Sequence, residues 1–341
     1  MARLDVRPLR KVPRDLADML ASPRLTVAFF LLLAAGSLWV AQGGGNATVA
    51  TVLPLSLLVV NLVASITTQA RFRADLPLLL FHLALLALVA LLALARLIYF
   101  DGATILTTGT AFEGDLVKDS RGPLHGDGVR SLRFANEGFT ESFPERGKYH
   151  ATYSRVRWWD AAGQSHLAEI GDDRPLILDG YRIYATQRRG FSPLFLWQPT
   201  AGEAAYGTVQ LPDSDAGEVG SATSWALPSG PQAWVMLKLN AAPQPQPGEQ
   251  RSGLGAHEVS HQLVLRVGEQ RIELRPGGTA ELDGGRLSYV RLDSWMGYHI
   301  VRDPTEPWLV ATILVGIGSM LWFYARLLRK PRGGVERKDK Q

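Results

Sequence analysis

Seven histidines and no cysteine bound the side-chain chemistry open to this 341-residue chain. Without thiols it has no disulfide, no thiolate metal site, no thiol redox step and no covalent haem attachment of its own. The absence of cysteine fits an oxidising compartment. Among the histidines, His82 stands apart because it lies in residues 76–100, LPLLLFHLALLALVALLALARLIYF, a nearly unbroken apolar run. An ionisable ring in such a helix usually faces a partner, a cavity or a ligand, since the bilayer offers it no water. A neutral imidazole suits iron ligation. The plainer reading is an interhelical hydrogen bond, for example to Asn61 in the preceding apolar segment. His82 lies six residues past Leu76, roughly 9 Å along a helix.

The other constellations are weaker. His257 and His261, with Glu258, spell HEVSH, the letters of a zinc-protease helix. That spacing joins two imidazoles only on a helix, whereas VSHQLVLRV alternates like a strand and no third ligand is evident. It reads as a solvated loop, and no metal site is expected. Trp158, Trp159 and Asp160 end a strand just before a turn; adjacent strand residues point to opposite faces, so one tryptophan belongs to core and one to edge. There is no phosphate-binding glycine loop and no nucleophile-elbow serine. No catalytic residue is expected, and the chain does not read as an enzyme.

The elements that must position His82 are membrane spans. Residues 25–41, 47–66, 76–100 and 307–325 are each apolar and long enough to cross a bilayer. Trp39 sits where an interfacial anchor would, and no small-x-small cleavage site follows the first segment, which favours a span over a cleaved signal peptide. Pro54 and Asn61 inside the second span require neighbouring helices to satisfy them. Residues 101–306 carry 20 Lys+Arg against 26 Asp+Glu, while the rest carries 16 against 6. The basic charge therefore sits beside the spans, in residues 1–24, at Arg71 and Arg73, and in the tail 326–341. Positive-inside topology explains this without nucleic acid. It places both termini in the cytoplasm and residues 101–306 outside it, periplasmic or equivalent.

That outer region reads as β: runs such as RPLILDGYRIYATQ, QAWVMLKLN and RLSYVRLDSWMGYHIV are rich in β-branched and aromatic residues and bounded by turn residues. VGEQR and the DGG before RLSYV are expected hairpin turns. The expected fold is an α-helical bundle of four transmembrane helices with an all-β, sandwich-like extracytoplasmic domain. Residues 199–222 and 241–256 read as loops.

Three stretches then carry a resemblance. SLRFANEGFTESFPERGKYHATYSRVRWWD resembles a strand-rich segment of the ResB/CcsB family; Pro175, Leu176, Gly180 and Tyr184 resemble its P-L-x-x-x-G-x-x-x-Y stretch; RDPTEPWLVATILVGIGSMLWFY resembles its D-P plus glycine-rich final span. Asp173 and Ala185 stand where that family usually has Asn and often has Gln. The family is the smaller membrane component of System II cytochrome c maturation. The resemblance implies haem handling across the membrane, delivery to apocytochrome c, and work with a ResC/CcsA-type polytopic partner and a thioredoxin-like thiol reductant. It makes His82 the candidate axial haem ligand and Arg96 a candidate contact for a haem propionate; otherwise Arg96 snorkels to the interface. The alternative is a structural scaffold subunit of an envelope complex, with His82 serving packing alone.

Overall fold

A computed structural model describes residues 14–142, 151–212, 222–227, 230–239, 250–252 and 260–329. The first thirteen residues, the end of the basic tail, His150, and His257 and Glu258 of HEVSH lie outside the described residues. The chain divides into a helical unit, residues 1–99, 121–125 and 303–341, and a β unit, residues 100–120 and 126–302.

The helical unit comprises α1 (Arg14–Leu20), α2 (Pro23–Ala41), α3 (Ala47–Thr68), α4 (Ala70–Ala74), α5 (Leu76–Ile98) and α6 (Glu306–Arg329). Four of them, α2, α3, α5 and α6, are long and apolar enough to cross a membrane. At 23 residues α5 is about 35 Å long. Pro23 and Pro77 open α2 and α5, where a missing N–H costs nothing. The Asn46 side chain caps α3 by accepting from the amides of Thr48 and Val49. α5 stops at Ile98 because Tyr99 turns extended, and Phe100 already belongs to the β core.

Small residues set the helix crossings. Pro54 has no N–H for the carbonyl of Ala50, and α2 approaches that carbonyl at Gly36, where an added Cβ would come within 3.0 Å of the oxygen. Gly316 of α6 faces Ala84 of α5. Asn61 is buried and fully engaged: Oδ1 accepts from the Thr26 hydroxyl at 2.7 Å, and Nδ2 donates to the carbonyls of Leu20 at 2.6 Å and Ser22 at 3.3 Å. It ties α3 to the α1–α2 corner.

In the β unit, the 19-residue strand Tyr181–Pro199 pairs antiparallel with the 18-residue strand Gly285–Arg302, and Phe100–Thr107 adds on the latter's other edge. Strands of five or six residues are typical, and here the length gives one ribbon two cores. One half of the ribbon, through Phe195, Trp197, Leu287 and Tyr289, packs on Val235, Leu237, Leu263 and Leu265 of a sheet built from residues 222–226, 232–239, 261–267 and 270–274. The other half, through Tyr181, Ile183, Tyr298 and Ile300, packs on Phe134, Val156 and Ile170 of a sheet that includes residues 134–142 and 151–170. Within the first core the register shifts at Tyr289/Arg291 and leaves Val290 and Arg291 both exposed, which resets the alternation, and a second shift falls at Met296/Tyr298. The expected packed antiparallel sheets are present, but as two pairs in series. Both expected hairpins form: Val267 pairs with Gln270 and Leu282 with Gly285, with Gly268 and Gly284 at positive φ in the turns.

Candidate functional site

The α4–α5 corner builds the surroundings of His82. Asp75 separates the two helices, and the short α4 folds so that the Phe72 ring stacks on the imidazole, centroids 4.0 Å apart and 28° from parallel. Phe81 meets the same ring edge-on at 5.5 Å. One turn earlier on α5, the Leu78 carbonyl lies 2.7 Å from Nδ1. A carbonyl only accepts, so Nδ1 carries a proton, and in the neutral ring the lone pair falls on Nε2. Among the described residues Nε2 has no hydrogen-bond partner.

These contacts supply two things an axial haem ligand uses: a bond from the far nitrogen to a carbonyl, which fixes the tautomer of the neutral ring, and an orientation held by packing. The ring is half-buried in apolar surroundings, so it is both shielded and approachable. The interhelical bond to Asn61 is not formed, since both ends of that amide are taken by Thr26, Leu20 and Ser22.

Arg96 stands near the opposite end of α5, 14 residues on and about 21 Å along the axis. Its guanidinium lies over the Tyr99 ring, 4.6 Å from the centroid, and has no ion-pair partner among the described residues. It borders a cavity of about 480 Å³ with Leu33, Thr51, Leu92, Tyr99 and Asp303. His82 and Arg96 are therefore not brought together, and each belongs to a site of its own. At this end, residues 121–125 close over the last turn of α5. Gly122 N–H donates to the Tyr99 carbonyl, Leu124 N–H to Leu97, and His125 Nδ1–H to Ile98, so carbonyls left without helical donors are satisfied.

Of the remaining motifs, Trp158 packs against the second β core and stacks on His166 at 4.5 Å. The His166 ring bonds to Asp160 at 3.0 Å, and this bond, with amides from Gln164 and Ala162, holds the Asp160 carboxyl below the usual range. Among the described residues no three His, Asp or Glu side chains are placed to hold a metal ion. Sequence reasoning passed over Phe72. Its only signal was an aromatic residue between two arginines in the short loop before the His82 helix.

No individual curated protein is matched by the chain. Comparison with protein families, however, matches residues 75–329, more than half of the chain, taking in His82, Arg96, the β unit and α6 but leaving α1 to α4 outside. On that match, with four membrane-length helices bracketing an antiparallel β unit, the chain belongs to the ResB-like family.

Proposed function

We propose that this protein handles haem during cytochrome c maturation, with His82 as an axial ligand to the iron, in a complex with a ResC/CcsA-type membrane partner that passes haem to apocytochrome c. The observation that carries the reading is the His82 ring with Nδ1–H donated to Leu78 and Nε2 left open, in a chain of the ResB-like family. Haem supplies the iron centre that is later attached to the apocytochrome. The chain supplies a neutral nitrogen donor, an aromatic wall at Phe72 that fixes the ring plane, and apolar helix around it that keeps water away. The charge distribution supports cytoplasmic termini, which puts His82 in the inner-leaflet half of the membrane and the β unit in the periplasm or its equivalent. Reduction of the client's cysteines falls to another protein, since this chain has none.

The test is the absorbance spectrum of the chain purified alone and with the partner. A Soret band lost in His82→Ala and partly restored by added imidazole supports ligation. His82→Asn keeps a polar group but is a poor iron ligand. If the Asn variant retains the band and matures cytochrome c normally, His82 serves packing and the protein is a scaffold subunit.

A further inference from the structure

We infer that Arg71 and Arg73 form a two-pronged clamp for the paired carboxylates of the planar ligand that His82 binds. The inference rests on the haem reading above and adds the residues that would orient the macrocycle.

Three observations carry it. First, α4 reads ARFRA, and its central Phe72 is the residue stacked on His82. At 3.6 residues per turn, neighbours leave the helix about 100° to either side. Arg71 and Arg73 therefore flank the Phe72–His82 stack, one on each side. Second, both are exposed, and neither guanidinium has an ion pair or hydrogen bond among the described residues. The carboxylate next in sequence, Asp75, is taken by Arg326, whose Nη1 lies 3.1 Å from Oδ1. Among the described residues the corner therefore presents two unpaired positive charges beside the imidazole. Third, the other cation on α5, Arg96, stands about 21 Å further along the helix, out of reach of a ligand centred on His82.

The chemistry matches on count. Guanidinium forks bind carboxylates through two parallel N–H···O bonds, and haem carries two carboxylates on one edge of its ring. With iron held by Nε2, Arg71 and Arg73 would hold the carboxylate edge and leave the apolar remainder of the macrocycle to apolar surroundings. The positive-inside rule accounts for cations in this loop but does not require an aromatic residue between them stacked on the imidazole. The clamp lies just before the residues matched to the family, so it is read from this chain alone.

The experiment titrates the full-length chain in nanodiscs with ferric protoporphyrin IX and with its dimethyl ester, which keeps the ring and the iron but has no carboxylates. Wild type is expected to bind the diacid roughly tenfold or more tighter than the ester. Arg71→Gln/Arg73→Gln should lose that preference while its Soret position, set by His82, stays unchanged. Arg71→Lys/Arg73→Lys retains the loop charge needed for insertion and should keep part of it. Equal binding of diacid and ester by wild type overturns the clamp and leaves the haem reading standing, and it needs no variant to be stable. Retention of the preference in the Gln pair also overturns it. If neither the chain alone nor its complex with the membrane partner shows a His82-dependent band with either porphyrin, the haem reading fails and the clamp with it.

Discussion

Nδ1 of His82 lies 2.7 Å from the carbonyl oxygen of Leu78, so the imidazole makes its hydrogen bond to its own helix and not to a neighbouring one. A purely interhelical role would have engaged another span. The arrangement predicts that the imidazole of the haem-free chain is the Nδ1–H tautomer, with Nε2 unprotonated. Nitrogen NMR of histidine-labelled protein in bilayers would show it, and a dominant Nε2–H form would contradict the geometry.

Phe72 is a positioning residue in this account. Phe72→Ala removes the wall at 4.0 Å and frees the ring to rotate. Haem affinity should fall several-fold, while Phe72→Trp, which preserves the stack, should stay near wild type. The spectroscopic signature of the axial ligand should broaden in the Ala variant and not in the Trp variant.

Asn61 gives a stability prediction with no bearing on haem. Asn61→Leu leaves the Thr26 hydroxyl and the Leu20 and Ser22 carbonyls without this partner. Buried groups left unpaired cost about 1–3 kcal/mol, toward the lower end in membranes. The expected result is a lower unfolding midpoint in detergent with the His82 environment unchanged.

At Gly122 an added Cβ would fall 2.2 Å from the Leu97 carbonyl oxygen, a backbone atom that cannot turn aside. Gly122→Ala should therefore lift residues 121–125 off the end of α5. Faster amide exchange at Gly122 and Leu124, whose N–H groups now bond Tyr99 and Leu97, is the readout.

The β unit should be sensitive to alkali. Tyr298 is buried against Ser154, its hydroxyl 2.7 Å from the serine oxygen, and burial pushes its ionisation up from the ordinary tyrosine value near 10. Because the folded state holds this proton more tightly than the unfolded chain, the stabilisation is complete below about pH 10 and declines above it. Tyrosinate absorbance rising together with loss of β structure above that pH is expected, and Tyr298→Phe should remove part of the pH dependence.

Topology is tested by reporters. One fused after Gly163, in an exposed turn, should be active only outside the cytoplasm, and one fused at the C-terminus only inside. A cytoplasmic signal from the Gly163 fusion would overturn the proposed orientation.

The sequence by itself determined the helices, because a membrane span needs only enough apolar residues and those are counted locally. It also determined the hairpins at Gly268 and Gly284, where a two-residue turn demands glycine, and it singled out His82 as an imidazole where solvent is absent. Tertiary structure decided the rest. The 19-residue strand Tyr181–Pro199 reads in sequence only as far as Gln187, since a strand's length and partner depend on distant residues, and only its pairing with Gly285–Arg302 reveals one ribbon serving two cores. A bond between Asn61 and His82 is open on the sequence alone; in the fold the α1–α2 corner takes the amide, with Thr26, Leu20 and Ser22 occupying both its ends. The placement of Phe72 on the imidazole depends on how α4 folds back at Asp75, a bend of backbone that no local pattern in ARFRA encodes.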